Sequence, residues 1–275
     1  MSATKKERLD VILVKKKLIE SREKAKAAIL AGLVFVDGKK IDKPGFFVRP
    51  DEEIVVKSSP VPYVSRGGLK LEKALKVFDV PVKDRVFVDV GASTGGFTHC
   101  LLNHGARKVY AIDVGYGQLA WNLRQDNRVV VMERTNIRHV DPKAFTEKIE
   151  GAVIDVSFIS LKLVLPVVKS IVAEKSDIIA LVKPQFEAGR DKVGRKGVVR
   201  DPAVHKEVLM NFFQLCQELG LILKGVTHSP ITGPEGNIEF LTHIYKSSRP
   251  EPPCITGQNL DYVVELAHVE LLHDK

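Results

Sequence analysis

VFVDVGASTGGF, residues 86–97, decides how the rest of the chain is read. An apolar run interrupted only by Asp89 ends in Gly91, and after three further residues Gly95 and Gly96 open a stretch with helical spacing. Strand, tight glycine turn and helix form the unit from which doubly wound α/β sheets are assembled. Glycines at that turn let a ligand approach backbone N–H groups. The spacing is GxxxGG rather than GxGxxG, so the middle glycine that admits a pyrophosphate is missing.

Working outward, strand candidates at 85–90, 109–112, 129–132, 152–155 and 178–182 alternate with helical stretches, notably 96–104 and 160–173. This alternation of near-continuous apolar strands with helices predicts a mostly parallel sheet covered on both faces. The pattern changes near the end. A helix over 203–219 precedes strands at 221–227 and 238–245 joined by a Gly/Pro loop, which predicts an antiparallel hairpin at the sheet edge. Asp113 lies 22 positions after Gly91 and ends the second strand, where an acid suits a ribose diol. Asp89, Asp113 and a glycine turn without a pyrophosphate seat together predict a nucleoside-bearing ligand, and S-adenosylmethionine fits. A plain strand–helix turn with a solvated Asp is the alternative.

Ahead of this domain the character differs. The chain of 275 residues has a formal charge of +8, yet residues 1–62 hold 14 Lys+Arg against 9 Asp+Glu, so most of the excess lies in the front. Charge of this sign favours an anionic partner and says nothing of fold. SSPVP (58–62) reads as an extended linker, because proline disfavours helix in the residue before it. The front segment reads as two short helices, the second after the N-cap candidate Ser21, then a strand at 33–36, the turn Asp37-Gly38 and a closing strand at 54–56. Cys100, Cys216 and Cys254 form no CxxC pair, so neither a disulfide framework nor a metal site organises the fold. The start lacks a secretory apolar region and no run reaches the length of a spanning helix, so a cytoplasmic protein without membrane partners is expected.

DVGASTGGF and the terminal hairpin resemble class I, FtsJ-like, ribose-methylating methyltransferases. YVSRGGLKLEKAL (63–75), AIDVGYGQL (111–119), DVSFISL (155–161), LVKPQFEAGR (181–190), KGVVRDP (196–202) and GNIEFL (236–241) resemble the TlyA, or hemolysin A-like, ribosomal RNA methyltransferases. RLDVILVKKKLIESREKAKAAILAGLVFVDGK resembles the S-four-type RNA-binding domain. The resemblance implies an RNA-binding domain at 1–59, a linker at 60–64, a methyltransferase domain at 65–247 and a tail at 248–275 without an assigned role. It implies a catalytic tetrad of Lys70, Asp155, Lys183 and Glu239. Asp89, Gly91, Ala92, Ser93, Gly95 and Gly96 would line the methionine end of the cofactor, Asp113 would hold the ribose, and Thr135 and Asn136 would flank the adenine. RNA would be met by Lys5, Lys6, Arg8, Lys15, Lys16, Lys17, Arg22 and Lys26 in front, and by Arg66, Arg190, Arg195 and Lys196 nearer the site. The implied substrate is a ribosomal RNA or subunit, with cytidine as the target.

The chemistry accounts for the residue types. A ribose 2′-hydroxyl attacks only as its proton leaves, and a lysine accepts that proton only if its pKa falls well below about 10.4. Burial beside another cation lowers it and neighbouring carboxylates oppose this. Lys183 is expected to be the base, Lys70 its electrostatic partner and an RNA contact, and Asp155 and Glu239 the orienting acids. Taken singly, Lys70 reads as a solvated helix residue, and alternation between Ile238 and Phe240 turns Glu239 toward solvent. DVSFIS stands where amino-methylating enzymes carry an Asn/Asp-Pro-Pro-aromatic run, and no Cys sits at the sheet edge for carbon methylation; oxygen is the favoured acceptor. A non-catalytic RNA-binding factor and a membrane-active hemolysin are the rival readings.

Overall fold

The computed structural model describes residues 6–19, 21–30, 32–56, 62–249 and 254–272. Lys5 and, apart from Pro62, the SSPVP stretch lie outside the described residues. The chain divides into two compact units between Pro62 and Tyr63.

In the first unit β1 (Glu7–Arg8) runs into α1 (Leu9–Lys15), and α2 (Arg22–Leu30) begins at Ser21, whose Oγ accepts the Lys24 N–H at 3.2 Å. β2 (Val34–Val36) and β3 (Lys39–Ile41) form a hairpin in which Asp37 and Gly38 both take positive φ, as a tight two-residue turn demands. β4 (Phe47–Val48) pairs with β1, and β5 (Ile54–Val56) pairs with the free side of β2. Leu9, Ile12, Leu13, Ala25, Ile29, Val34 and Val48 close a small core. One charge is buried with them: the Asp10 carboxylate accepts from Arg8 Nε and Arg22 Nε, each at 2.9 Å. The Arg8 hydrogen bond, reinforced by Arg22, holds the Asp10 carboxyl below the usual range.

The second unit opens with α3 (Gly67–Phe78), then β6 (Val86–Val90), α4 (Gly96–Asn103), β7 (Lys108–Ile112), α5 (Trp121–Arg124) and β8 (Val129–Met132). It continues through β9 (Ile149–Ile154), α6 (Leu161–Ile171), β10 (Val172–Val182), α7 (Pro184–Glu187), α8 (Pro202–Glu218), β11 (Ile222–His228), β12 (Phe240–Lys246) and α9 (Gly257–Leu272). Among the described residues its sheet has seven strands in the order β11-β12-β10-β9-β6-β7-β8. β8, β7, β6, β9 and β10 are parallel, and β12 is antiparallel to both its neighbours. Every residue of β6 is buried, which explains its unbroken apolar reading; its one acid, Asp89, is fully enclosed.

The expected elements are present, and one of them differs in extent. The expected antiparallel hairpin stands at the sheet edge, with β12 next to β10 and β11 outermost. β10 starts at Val172, six residues before the expected strand, because exposed Glu174 and Lys175 (φ +63°) interrupt its apolar pattern at a register shift. The tail, whose sequence reads as a Pro-rich stretch followed by a short helix, ends in the sixteen-residue α9, lying against α8 and β11. His205 of α8 is fully buried, with Nδ1 2.9 Å from His268 Nε2 on α9 and Nε2 3.2 Å from the Val199 carbonyl.

Burial, aided by the neighbouring His268, pushes His205 down to about 4. A histidine depressed on folding contributes stability above its unfolded value near 6.5, and that stability is lost as pH falls toward the folded value. Chemical denaturation should therefore show unfolding free energy falling by a few kcal/mol between about pH 6.5 and 4, at about 1.4 kcal/mol per pKa unit. A His205→Gln variant should show a shallower acid limb.

Candidate active site

The strand order reverses between β6 and β9, so the turns leaving these two strands diverge and open a crevice at their carboxyl ends. The turn after β6 is Gly91–Gly96, held by Gly91 and Ala92 N–H groups donating to the Ile112 carbonyl at 2.9 and 3.0 Å. Gly91 has φ +86°, and a Cβ there would stand 2.6 Å from the Asp155 carbonyl oxygen; only glycine lets the two turns approach this closely. The crevice widens into a cavity of about 540 Å³ between the start of α3, the glycine turn, the ends of β9 and β10, and the loop before β12.

All four tetrad residues line this cavity. Lys183 follows β10, and its Nζ lies 2.7 Å from Asp155 Oδ1 and 2.9 Å from Ser157 Oγ. Lys70, on the second turn of α3, is paired with Glu239 at 2.5 Å. Lys70 is 7% exposed and Glu239 fully buried, which overturns the solvated reading of both. The reason is local. α3 turns this face inward, and β12 begins only at Phe240, so Glu239 still belongs to the preceding loop and strand alternation does not apply to it. Gly233 makes room for it, since a Cβ there would lie 2.3 Å from Glu239 Oε1. Two lysines buried against carboxylates are poor stabilisers, because desolvation offsets much of their attraction. Placed around a cavity, they keep charge where a substrate can use it.

The expected cofactor residues divide into two groups. Gly91, Ala92, Ser93 and Gly96 line the cavity. Asp89 lies behind the turn, where Oδ2 accepts the Thr98 hydroxyl at 2.7 Å and Oδ1 is buried without a partner. Burial, over the Thr98 hydrogen bond, pushes the Asp89 carboxyl up to about 7. Asp113 braces the turn: its carboxylate accepts the Ser93 N–H at 2.7 Å and the Gly115 N–H at 2.6 Å. Gly95 packs under the turn, where a Cβ would strike Leu123. Thr135 and Asn136 follow β8, and neither lines the cavity; Thr135 N–H donates to the Asp113 carbonyl at 2.9 Å, and Asn136 caps the next turn. Among the expected RNA contacts of this unit, Arg66 and Lys196 line the cavity, while Arg190 and Arg195 are exposed on its outer loop. That loop contains 3-10 turns at Arg190–Lys192 and Arg195–Gly197 and is anchored by Asn237, which donates to the Gly197 carbonyl and accepts the Val199 N–H.

Several residues of the site escape the sequence reading. Ser157 holds Lys183, and Phe158 stands 91% exposed at φ +61° with its ring 5.1 Å from Phe186. A bulky residue in the left-handed region is strained and persists only where its surroundings fix it. The fixing group is Glu187: its carboxylate accepts the Ser160 hydroxyl at 2.7 Å and the Leu161 N–H at 2.8 Å, tying the end of α7 to the start of α6. The 155–160 turn is thereby tied down where it enters α6. Both groups sit inside quoted motifs, DVSFISL and LVKPQFEAGR, but nothing in the residue types announces the strain or the tie.

Comparison with known proteins agrees with this geometry. Residues 63–246 match the FtsJ-like methyltransferase family and residues 7–54 the S4 domain. YqxC of Bacillus subtilis is 55% identical, covering 99% of this chain and 98% of its own. The 16S/23S rRNA (cytidine-2′-O)-methyltransferase TlyA of Mycobacterium tuberculosis is 47% identical over 85% of this chain and 87% of its own. Hemolysin A of Brachyspira hyodysenteriae is 42% identical over 86% and 98%. A solved Streptococcus thermophilus chain, 46% identical, superposes over 99% of both chains with a TM-score of 0.78.

If Glu187 closes the turn, Glu187→Ala leaves the Ser160 hydroxyl and the Leu161 N–H without an acceptor. Unfolding free energy should drop by about 1–3 kcal/mol, and the Leu161 amide should exchange faster in hydrogen–deuterium exchange. Glu187→Gln, which keeps an acceptor oxygen, should recover most of both.

Proposed function

The chain belongs to the FtsJ-like methyltransferase family and carries an S4 domain ahead of that domain, and from this premise we propose that it methylates a ribose 2′-hydroxyl of ribosomal RNA, at cytidine, using S-adenosylmethionine. One observation carries the reading: Lys70, Asp155, Lys183 and Glu239, drawn from four separate segments, line the same cavity as the glycine turn. A ribosomal substrate would put the protein in the cytoplasm. Among the described residues no helix is long and apolar enough to cross a membrane.

The residues present fit the cofactor. Asp89 keeps a buried carboxylate oxygen without a partner behind the turn, and the turn brings backbone close to any ligand in the crevice. When bound, S-adenosylmethionine supplies an activated methyl group. Gly91–Gly96 would hold its methionine end, with the Asp89 carboxyl acting from behind the turn through its charge, and Asp113, already bracing the turn, has lone pairs left for a ribose diol.

Lys183 takes the 2′-hydroxyl proton on Nζ. Ser157 Oγ accepts from that nitrogen and Asp155 Oδ1 stands 2.7 Å away, and with Lys183 as the neutral amine its lone pair is left for the substrate proton. Lys70, fixed by Glu239, places a second cation in the cavity, suited to a phosphate of the same nucleotide. Exposed Phe158, against half-buried Phe186, offers aromatic surface beside Lys183, on which the base of an extruded nucleotide can stack. Orientation supplies much of the acceleration, since alignment of reactants is worth about 7–11 kcal/mol in the best cases.

Incubation with labelled S-adenosylmethionine and ribosomal subunits, followed by mapping of alkali-resistant ribose sites, tests the reading directly. Lys183→Ala should lose about 10²-fold or more in kcat while binding the cofactor as the wild type does. Equal transfer by this variant would remove Lys183 as the base, and no transfer to any RNA by the wild type would favour a non-catalytic binding factor. Asp89 adds a pH signature. With its carboxyl near 7 it is mostly protonated at pH 6 and mostly ionised at pH 8, and a cationic ligand favours the ionised form. Calorimetric affinity for S-adenosylmethionine should rise about tenfold over that interval and become flat in Asp89→Asn.

A further inference from the structure

The first unit carries a surface that phosphate binding alone does not account for. β1 and β4 form a ladder of two residue pairs, Glu7 opposite Val48 and Arg8 opposite Phe47. Opposed residues project to the same face of such a ladder and successive residues to opposite faces. Val48 is fully buried, so the Glu7/Val48 face is the inner one and the Arg8/Phe47 face looks outward. Phe47 is accordingly 57% exposed, and its neighbour Phe46 is 41% exposed. Single exposed apolar residues are ordinary on a protein surface. An exposed Phe47 opposite Arg8 on one outward face, with exposed Phe46 next to it in the chain, is a different matter.

Arg8 is half exposed yet held in place. Its Nε and one terminal nitrogen donate to the two Asp10 oxygens at 2.9 and 3.1 Å, and its guanidinium lies over Gly45, about 3.4 Å from where a β-carbon would stand. Arg22 donates to the same carboxylate, so two guanidinium groups share one buried negative charge and the cluster keeps a net positive charge. Lys6 and Lys43 add exposed cations along the same chain segments. A flat aromatic ring next to a fixed cation matches the two parts of a nucleotide, a base with an open π-face and a phosphate. Bases inside a duplex are stacked on each other and present no such face; unpaired bases do.

We infer that the Phe47 face of the first unit, with Arg8, binds an unpaired nucleotide of RNA, the base stacking on Phe47 and the adjacent phosphate meeting Arg8. This rests on the reading of the unit as RNA-binding and deepens it: the unit selects single-stranded features of a folded RNA rather than backbone charge alone.

The two contributions separate by their salt dependence. Full-length protein is titrated against a labelled RNA hairpin with an unpaired loop and against a blunt duplex of equal length, over a series of salt concentrations. Phe47→Ala should weaken hairpin binding about tenfold, leave the slope of log K against log salt unchanged, and leave duplex binding unchanged; Phe47→Tyr should retain wild-type affinity. Arg8→Gln should make the slope shallower by about 0.7–0.9. Hairpin affinity unaltered in Phe47→Ala, or an equal loss on hairpin and duplex, overturns the inference while leaving RNA binding intact. A change confined to self-association in sedimentation would assign the face to a second copy instead. Wild type that binds neither RNA overturns the RNA-binding reading and the inference with it.

Discussion

Everything in the methyltransferase unit depends on how closely two turns approach at the point where the sheet reverses its winding. Gly91 sits against the Asp155 carbonyl with no space for a side chain. That contact puts the glycine turn and the carboxylate that pairs with Lys183 within one crevice. Parallel sheets of this kind cannot form the contact elsewhere, because only at the reversal do the connections leave to opposite faces and expose backbone between them. The remaining parts of the site are brought to this fixed point: Lys183 by β10, Lys70 by α3, and Glu239 by the loop that Gly233 lets pack tightly.

How the charges are held follows from the same constraint. The four tetrad side chains line the cavity as two ion pairs, and neither pair would be favoured over well-packed apolar residues on stability grounds. They persist because each partner is fixed by backbone geometry that the fold needs anyway. Asp155 directly follows β9, Lys183 directly follows β10, and Glu239 directly precedes β12. Asp89 extends the logic. Burial, with the field of Asp155, pushes this carboxyl up to about 7 against the Thr98 hydrogen bond, so its ionisation responds to charge placed near the glycine turn.

What the sequence disclosed, and what it did not, sorts by the range of the interaction. The strand–turn–helix at 86–103 and the sheet are local in origin, because apolar strands, glycine spacing and acids or bases at strand ends are visible in any short window. The tetrad instead comes from the resemblance of its motifs to FtsJ-like enzymes. Lys70 and Glu239 were legible as residues but not as a pair, since 169 positions separate them and each looks solvated in isolation. The start of β10 was hidden by Glu174 and Lys175, whose exposure is decided by neighbouring strands rather than by their own pattern. Phe158 and Glu187 were least legible. A phenylalanine at positive φ violates local preference, and a carboxylate that caps a helix belonging to another segment obeys none; both are consequences of closure in three dimensions.

The first unit shows the same distinction for charge. Counting lysines and arginines locates the positive excess in the front of the chain, but the count treats Asp10 as a subtraction from it. In the fold Asp10 does the reverse of weakening the surface. Buried between Arg8 and Arg22, it cancels one charge while fixing the direction of two guanidinium groups that would otherwise sample many rotamers. Immobilising a long side chain on binding costs about 0.5–1.5 kcal/mol, and here that ordering is already present in the folded protein. Lysines on the same surface carry more of the formal charge and less of the geometry, since a flexible ammonium neutralises a phosphate without fixing where it sits. The carboxylate that lowers the net charge is thus what gives the surface a defined shape beside Phe47, and recognition of a nucleotide rather than of charge density requires shape.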